Sequence, residues 1–177
     1  MTTQPLAQTF KIDAIGGVFL TGVTLFFATK DDATPVWVEI RNCIAGAPGR
    51  QVLPYSRKVL EPSSINVDFE KGEEPTRFVF DSPVYCQEGQ EYAIVVVTKS
   101  QDYLLWTAQV GQTDVLSGAV VTSQPAIGSM YKSSNSSTWT PVQTEDLKFA
   151  LQRAWFNMTY VGEVSLTNDI VNKETPI

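Results

Sequence analysis

Apolar side chains in this chain recur at every second position, and no stretch sustains a 3.6-residue repeat over a dozen residues. Val23, Leu25 and Phe27 alternate with Thr24 and Phe26, and Val36, Val38 and Ile40 alternate with Trp37, Glu39 and Arg41. Successive side chains of a strand point to opposite faces, so the second run reads as a strand with one face on a core and one toward water. The run EYAIVVVTKS is different: its valines are continuous, as in a strand covered on both faces. A chain patterned this way is restricted to all-β architecture.

The punctuation agrees. The stretch AGAPGRQVLPYSRKVLEPSS reads as turns around two short strands, Gln51–Leu53 and Arg57–Leu60, and Asn66–Phe69 reads as another. TRFVFDSPVYC follows as a strand ended by Pro83. Gln101-Asp102 makes a turn, which marks YLLWTAQVG as the hairpin partner of the valine-rich strand. Residues 111–145 are weakly patterned and include the low-complexity piece YKSSNSSTWTP. LKFALQRAWF could pass for a helix on propensity, but it lacks caps and alternates Leu147, Phe149 and Leu151 with Lys148, Ala150 and Gln152, so it reads as a closing strand. Gly16-Gly17 reads as a tight bend that lets Ile12 and Val18 enter different strands, since the phosphate-loop patterns are absent. Roughly eight to ten short strands with turns every 8–12 residues suit a sandwich or barrel.

The length, 177 residues, suits one domain. The expected fold is a single antiparallel β-sandwich of jelly-roll type over residues 1–156. The polar stretch 157–177 then forms a C-terminal tail or assembly arm. The net charge of −6 argues against a nucleic-acid footprint, which needs clustered Lys and Arg. No apolar run approaches the length of a membrane span, and MTTQPLAQTF lacks the charged and apolar regions of a signal peptide, so neither is expected. Without a secretory signal, the sequons at Asn135 and Asn157 read as coincidences of Ser/Thr-rich sequence.

The chain has no histidine, which removes Ser-His and Cys-His catalysis and the usual zinc site. Asp31-Asp32, Glu73-Glu74 and Glu145-Asp146 sit in turn-like stretches and read as solvated acids. Asp13, Asp31, Asp32, Asp68 and Asp81 supply oxygens but no D-x-D-x-D-G loop. No catalytic residue, cofactor or metal is therefore expected. Cys43 and Cys86 are expected to stay free thiols.

Aromatic residues are the remaining candidates. Trp37 and Trp155 lie in apolar strands and read as core. Trp139 lies in the polar loop SSNSSTWTP with Tyr131 nearby. Trp139, with Tyr131 or Trp106 as a second platform, fits a protein-interface anchor or a glycan platform. The competing reading has Trp139 folding back over the sandwich.

A resemblance sharpens the choice. The phrases PLAQTF (5–10), GGVFLTGVTLFFATKD (16–31), PVWVEIRN (35–42), VLPYSRKVL (52–60), FDSPVYCQEGQEYAIVV (80–96) and LLWTAQVG (104–111) carry it. So does QPAIGSMYKSSNSSTWTPVQTEDLKFALQRAWF (124–156). In order and spacing they resemble a β-sandwich domain of T4-like and related contractile-tailed bacteriophages, of the kind found in baseplate-wedge and other tail proteins. A more distant likeness extends to jelly-roll modules of cell-surface and carbohydrate-binding proteins. The resemblance implies a non-enzymatic virion protein, made in the host bacterial cytoplasm and assembled with other phage structural proteins as a homo-oligomer or in a symmetric array. The alternatives are a carbohydrate-binding or host-attachment module and a capsid decoration protein. With or without the resemblance, Leu6 and Phe10 read as pointing inward while Gln4 and Gln8 bond a sheet edge, and 124–141 reads as a long excursion over the sandwich end.

Overall fold

The computed structural model describes residues 5–123, 128–157, 159 and 161–166. Gln4, the start of the 124–141 excursion and most of the arm 157–177 lie outside the described residues. Among the described residues the fold is all-β with antiparallel sheets, and one 3-10 turn lies at Pro62–Ser64. The wide sheet is built on β1 (Leu6–Lys11), β7 (Glu91–Thr98) and β3 (Val36–Ile44), side by side in that order. Beyond β1 lie β10 (Met130–Lys132) and β11 (Thr140–Val142). Along the far edge of β3 run β4 (Ala47–Val52) and β5 (Lys58–Leu60) in succession. The narrow sheet has β2 (Val18–Thr29) between β13 (Phe149–Arg153) and β6 (Pro75–Cys86), with β8 (Leu104–Leu105) pairing the end of β2. A third pair joins β9 (Thr107–Gln109) to β12 (Glu145–Leu147).

The period-two pattern places the core. Val36, Val38 and Ile40 of β3, and Val23, Leu25 and Phe27 of β2, are all fully buried between the sheets. Phe27 lies 6.3 Å from Phe78 and 5.8 Å from Tyr103, centroid to centroid. A fully buried side chain of this kind stabilises by about 1.5–3 kcal/mol. β7 is covered on both faces, as its continuous valines require: Ile94 and Val96 face the core, and Ala93, Val95 and Val97 face an outer cluster.

Gly16 and Gly17 both take positive φ, and a Cβ on Gly17 would sit 2.5 Å from the Cys86 carbonyl oxygen, so the bend admits only glycine there. Cys86 is buried in the core and Cys43 sits in the outer cluster. Both thiols are free, and burial pushes each up to about 12.

Several local expectations give way. β6 runs straight through Pro83, which is tolerated because β6 is an edge strand and its pairing with β2 shifts register between Leu20 and Gly22. YLLWTAQVG does not fold back on β7; it crosses over, and β8 pairs β2 while β9 pairs β12. Asn66–Phe69 contributes only an isolated parallel bridge between Phe27 and Val67, because Asp68 organises a turn instead. Trp155 is not core. The register shift at Gln152/Arg153 ends β13, and Trp155 emerges 79% exposed.

Gln8 is the unexpected member of the core. It shares the inner face of β1 with Leu6 and Phe10, is fully buried, and reaches away from its own sheet. Its Nε2 donates to Asp146 Oδ1 at 3.0 Å and its Oε1 accepts from the Leu147 N–H at 2.9 Å. β12 is thereby pinned against β1. Gln8→Leu keeps the volume but orphans both partners, at about 1–3 kcal/mol each. Denaturant unfolding should report that loss; an unchanged midpoint would contradict the pin.

Asp146 is not the solvated turn acid expected: it is buried on β12 because Gln8 and the core draw it in. Its Oδ2 has no hydrogen-bond partner among the described residues, and burial raises its carboxyl above the ordinary range against the opposing Gln8 bond. A raised folded-state value gives stability that is complete below the unfolded value of about 3.9 and fades as pH rises through the folded value. Asp146→Asn removes that titration. The variant should gain on the wild type as pH rises from about 3 to about 7. A gap that stays constant across that range would show that Asp146 titrates as an ordinary acid.

Candidate functional site

The outer face of β3 carries Trp37, Glu39 and Arg41, and the structure covers it rather than leaving it to water. Glu39 and Arg41 are both buried: Arg41 Nε donates to Glu39 Oε1 at 2.7 Å, and its Nη2 donates to the same oxygen. One further Arg41 nitrogen, Nη1, donates to the Ser136 carbonyl at 2.8 Å. The low-complexity loop is therefore strapped down onto the sheet. Asn135 shapes its tip, with Oδ1 accepting from the N–H groups of Ser137 and Thr138.

That strap decides where the candidate aromatics lie. Trp139 and Tyr131 are half-buried and pack with Trp37 against Ala7, Ala93, Val95 and Val97. Arg41 sits 6.0 Å from the Trp139 ring centre, and Arg57 lies 5.0 Å from that of Trp37. Tyr131 donates its hydroxyl to the Gly46 carbonyl at 2.9 Å, whereas Trp139 Nε1 is buried without a partner among the described residues. The structure brings Trp139 and Tyr131 together on this outer cluster. Trp106 stands elsewhere.

Trp106 lies between β8 and β9. Its backbone N–H donates to the Phe26 carbonyl and its carbonyl accepts from the Lys148 N–H, so the chain there bridges β2 and β13. Its indole is fixed from below. Nε1 donates to the Asp68 carbonyl at 2.7 Å. Gly72, at φ +64°, lies so close that a Cβ there would be 2.7 Å from three atoms of the five-membered ring. Asp68 holds that loop in shape: its carboxylate accepts from the N–H groups of Glu73, Lys71 and Glu70, which lowers its pKa. Lys148 completes the support by donating Nζ to the Gly72 carbonyl at 2.9 Å while lying 4.7 Å from the Phe26 ring centre.

Trp106 forms one wall of a cleft of about 610 Å³. Leu147, Phe149 and Val121 line it, as do residues 112–116. The segment 111–121 is a preformed turn, closed by hydrogen bonds between Gly111 and Val121, Gln112 and Val121, and Asp114 and Ala119. The Asp114 carboxylate accepts from the Ser117 hydroxyl and N–H, which lowers its pKa. A second cleft, of about 600 Å³, opens over Phe27, Val36 and Val96 at the sandwich end, with the Lys132–Glu145 ion pair, 3.6 Å apart, among its lining residues.

Sequence reasoning picked out the tryptophans and missed what fixes them. Glu39 and Arg41 were legible as opposite charges two apart on one strand face. Asp68 and Asp114 were legible as acids with glycine four residues on, the local composition of a turn. Gln8 left no such signal.

Among the described residues, no group of three or more Cys, Asp or Glu side chains is placed to hold a metal ion. No helix among them is long and apolar enough to cross a membrane. What these features define is an antiparallel all-β sandwich with two aromatic-bearing surfaces. No protein-family model, curated protein or solved structure matches the chain.

The strap yields a prediction. Arg41→Met leaves the buried Glu39 carboxylate without its counter-charge, at about 3–5 kcal/mol. Glu39→Gln in the same chain should recover most of the loss. Hydrogen exchange at residues 133–139 should quicken in the single variant; unchanged exchange would show that the loop is held by something else.

Proposed function

We propose that this chain is a structural component of a tailed-bacteriophage virion, built into the baseplate or a nearby tail structure through protein–protein contacts rather than through catalysis. The observation that carries the reading is the placement of exposed apolar surface. On the outer face of the narrow sheet, Phe19 lies 5.1 Å from Tyr85 and 5.5 Å, edge-on, from Phe156. Further along the chain, Val161, Val164 and Leu166 are exposed by 99%, 81% and 89%. Apolar side chains that the other described residues leave this exposed are a feature of interaction surfaces. An extended arm laid on a neighbour adds contact area without enlarging the domain, against the entropy of ordering it. The resemblance of residues 4–156 to phage tail domains supports the same reading.

Deleting 160–177 should leave the sandwich melting as the full chain does while abolishing its incorporation into particles. Quantitative mass spectrometry of purified virions should find the full chain at a small copy number matching the tail's symmetry. A count scaling with the capsid lattice would make it a decoration protein instead. Absence from particles, or normal incorporation of the truncated chain, would overturn the arm-mediated assembly reading.

A further inference from the structure

We infer that the cleft beside Trp106 is a saccharide-binding site. Its volume of about 610 Å³ lies within the roughly 300–1,000 Å³ of small-molecule sites. The polar N–H of Trp106 is turned onto the Asp68 carbonyl and one ring face is closed by Gly72, so the indole presents only hydrocarbon to the cleft. The plate is held in place by the Asp68 loop and Lys148 before any ligand arrives. An aromatic face carries partial negative charge, which suits the C–H face of a pyranose ring.

Other residues of the lining supply the hydroxyl partners. Gln109, Gln112 and Thr113 are exposed on the cleft, and their side chains make no hydrogen bond to any described residue. A carboxamide offers a donor and an acceptor together, which matches a sugar hydroxyl that both gives and takes. Asp114 adds a carboxylate held ionised by its bonds to Ser117. The same groups select against other ligands. An anion would face Asp114, and Lys148 is already engaged with Gly72 and Phe26, which leaves Lys71 as the one cation of the lining not so engaged. A purely apolar ligand would strand the two carboxamides and the threonine hydroxyl.

The inference does not depend on the assembly reading. Failure to bind sugar leaves particle incorporation untouched, and failure to incorporate leaves the cleft intact. The test is calorimetric titration of the full chain with cellohexaose, maltohexaose, chitohexaose and mannohexaose, with tryptophan fluorescence followed in parallel. At least one should bind. Gln109→Ala and Gln112→Ala should each weaken that binding about tenfold, as loss of one hydrogen bond does, with no change in melting temperature. Trp106→Ala should abolish it. Because Trp106 also packs on Gly72, Trp106→Phe serves as the folded control and should retain weakened binding. Binding of none of the four would overturn the proposal. So would affinity unchanged in the Gln109→Ala/Gln112→Ala double variant, or binding lost instead in Tyr131→Ala.

Discussion

The bond pair made by Gln8 is the contact on which the arrangement of this protein depends. A polar side chain in the middle of an otherwise apolar strand face is tolerable only if its carboxamide is satisfied, and here both its ends are used on β12. The result is a fixed distance between the wide sheet and a three-residue strand whose Leu147 is buried in the core. β12 in turn pairs β9, and Leu147 lines the cleft beside Trp106. A single glutamine thus links the centre of the core, through Leu147, 139 positions along the chain, to the geometry of a surface cleft.

The two candidate surfaces are built by different means. On the outer face of β3, a buried ion pair reaches up and grips a polar loop, and Trp139 and Tyr131 are carried down with it. At Trp106 the order is reversed. Backbone is brought to the indole, through a loop that Asp68 folds and that only glycine can complete at position 72. The first device covers a sheet; the second leaves an aromatic plate facing a cleft. That difference separates a tryptophan that serves stability from one available to a ligand.

Much of the sandwich is legible in the sequence because period-two burial is a local property. The residues that alternate in 23–27 and 36–40 are those that meet in the core, and the valine run of β7 is covered on both faces as its continuity requires. What escaped reading is non-local. The destination of YLLWTAQVG depends on which sheet has room for it, and the passage of β6 through Pro83 depends on that strand lying at an edge. The fate of Trp155 depends on a register shift two residues earlier. At the site, the tryptophans were visible by type. Their exposure is set by partners 34 to 98 positions away in sequence: Trp106 by Asp68, 38 positions before it, and Gly72, 34 before it, and Trp139 by Arg41, 98 before it.

The two cysteines lie on opposite sides of the wide sheet, one within the sandwich and one on its outer face. Each thiol stays protonated at any ordinary pH, and joining them would require taking the sandwich apart. The protein therefore folds without a disulfide and draws nothing from oxidation. A reducing medium and an oxidising one present it with the same native state, and its stability should be indifferent to passage between them.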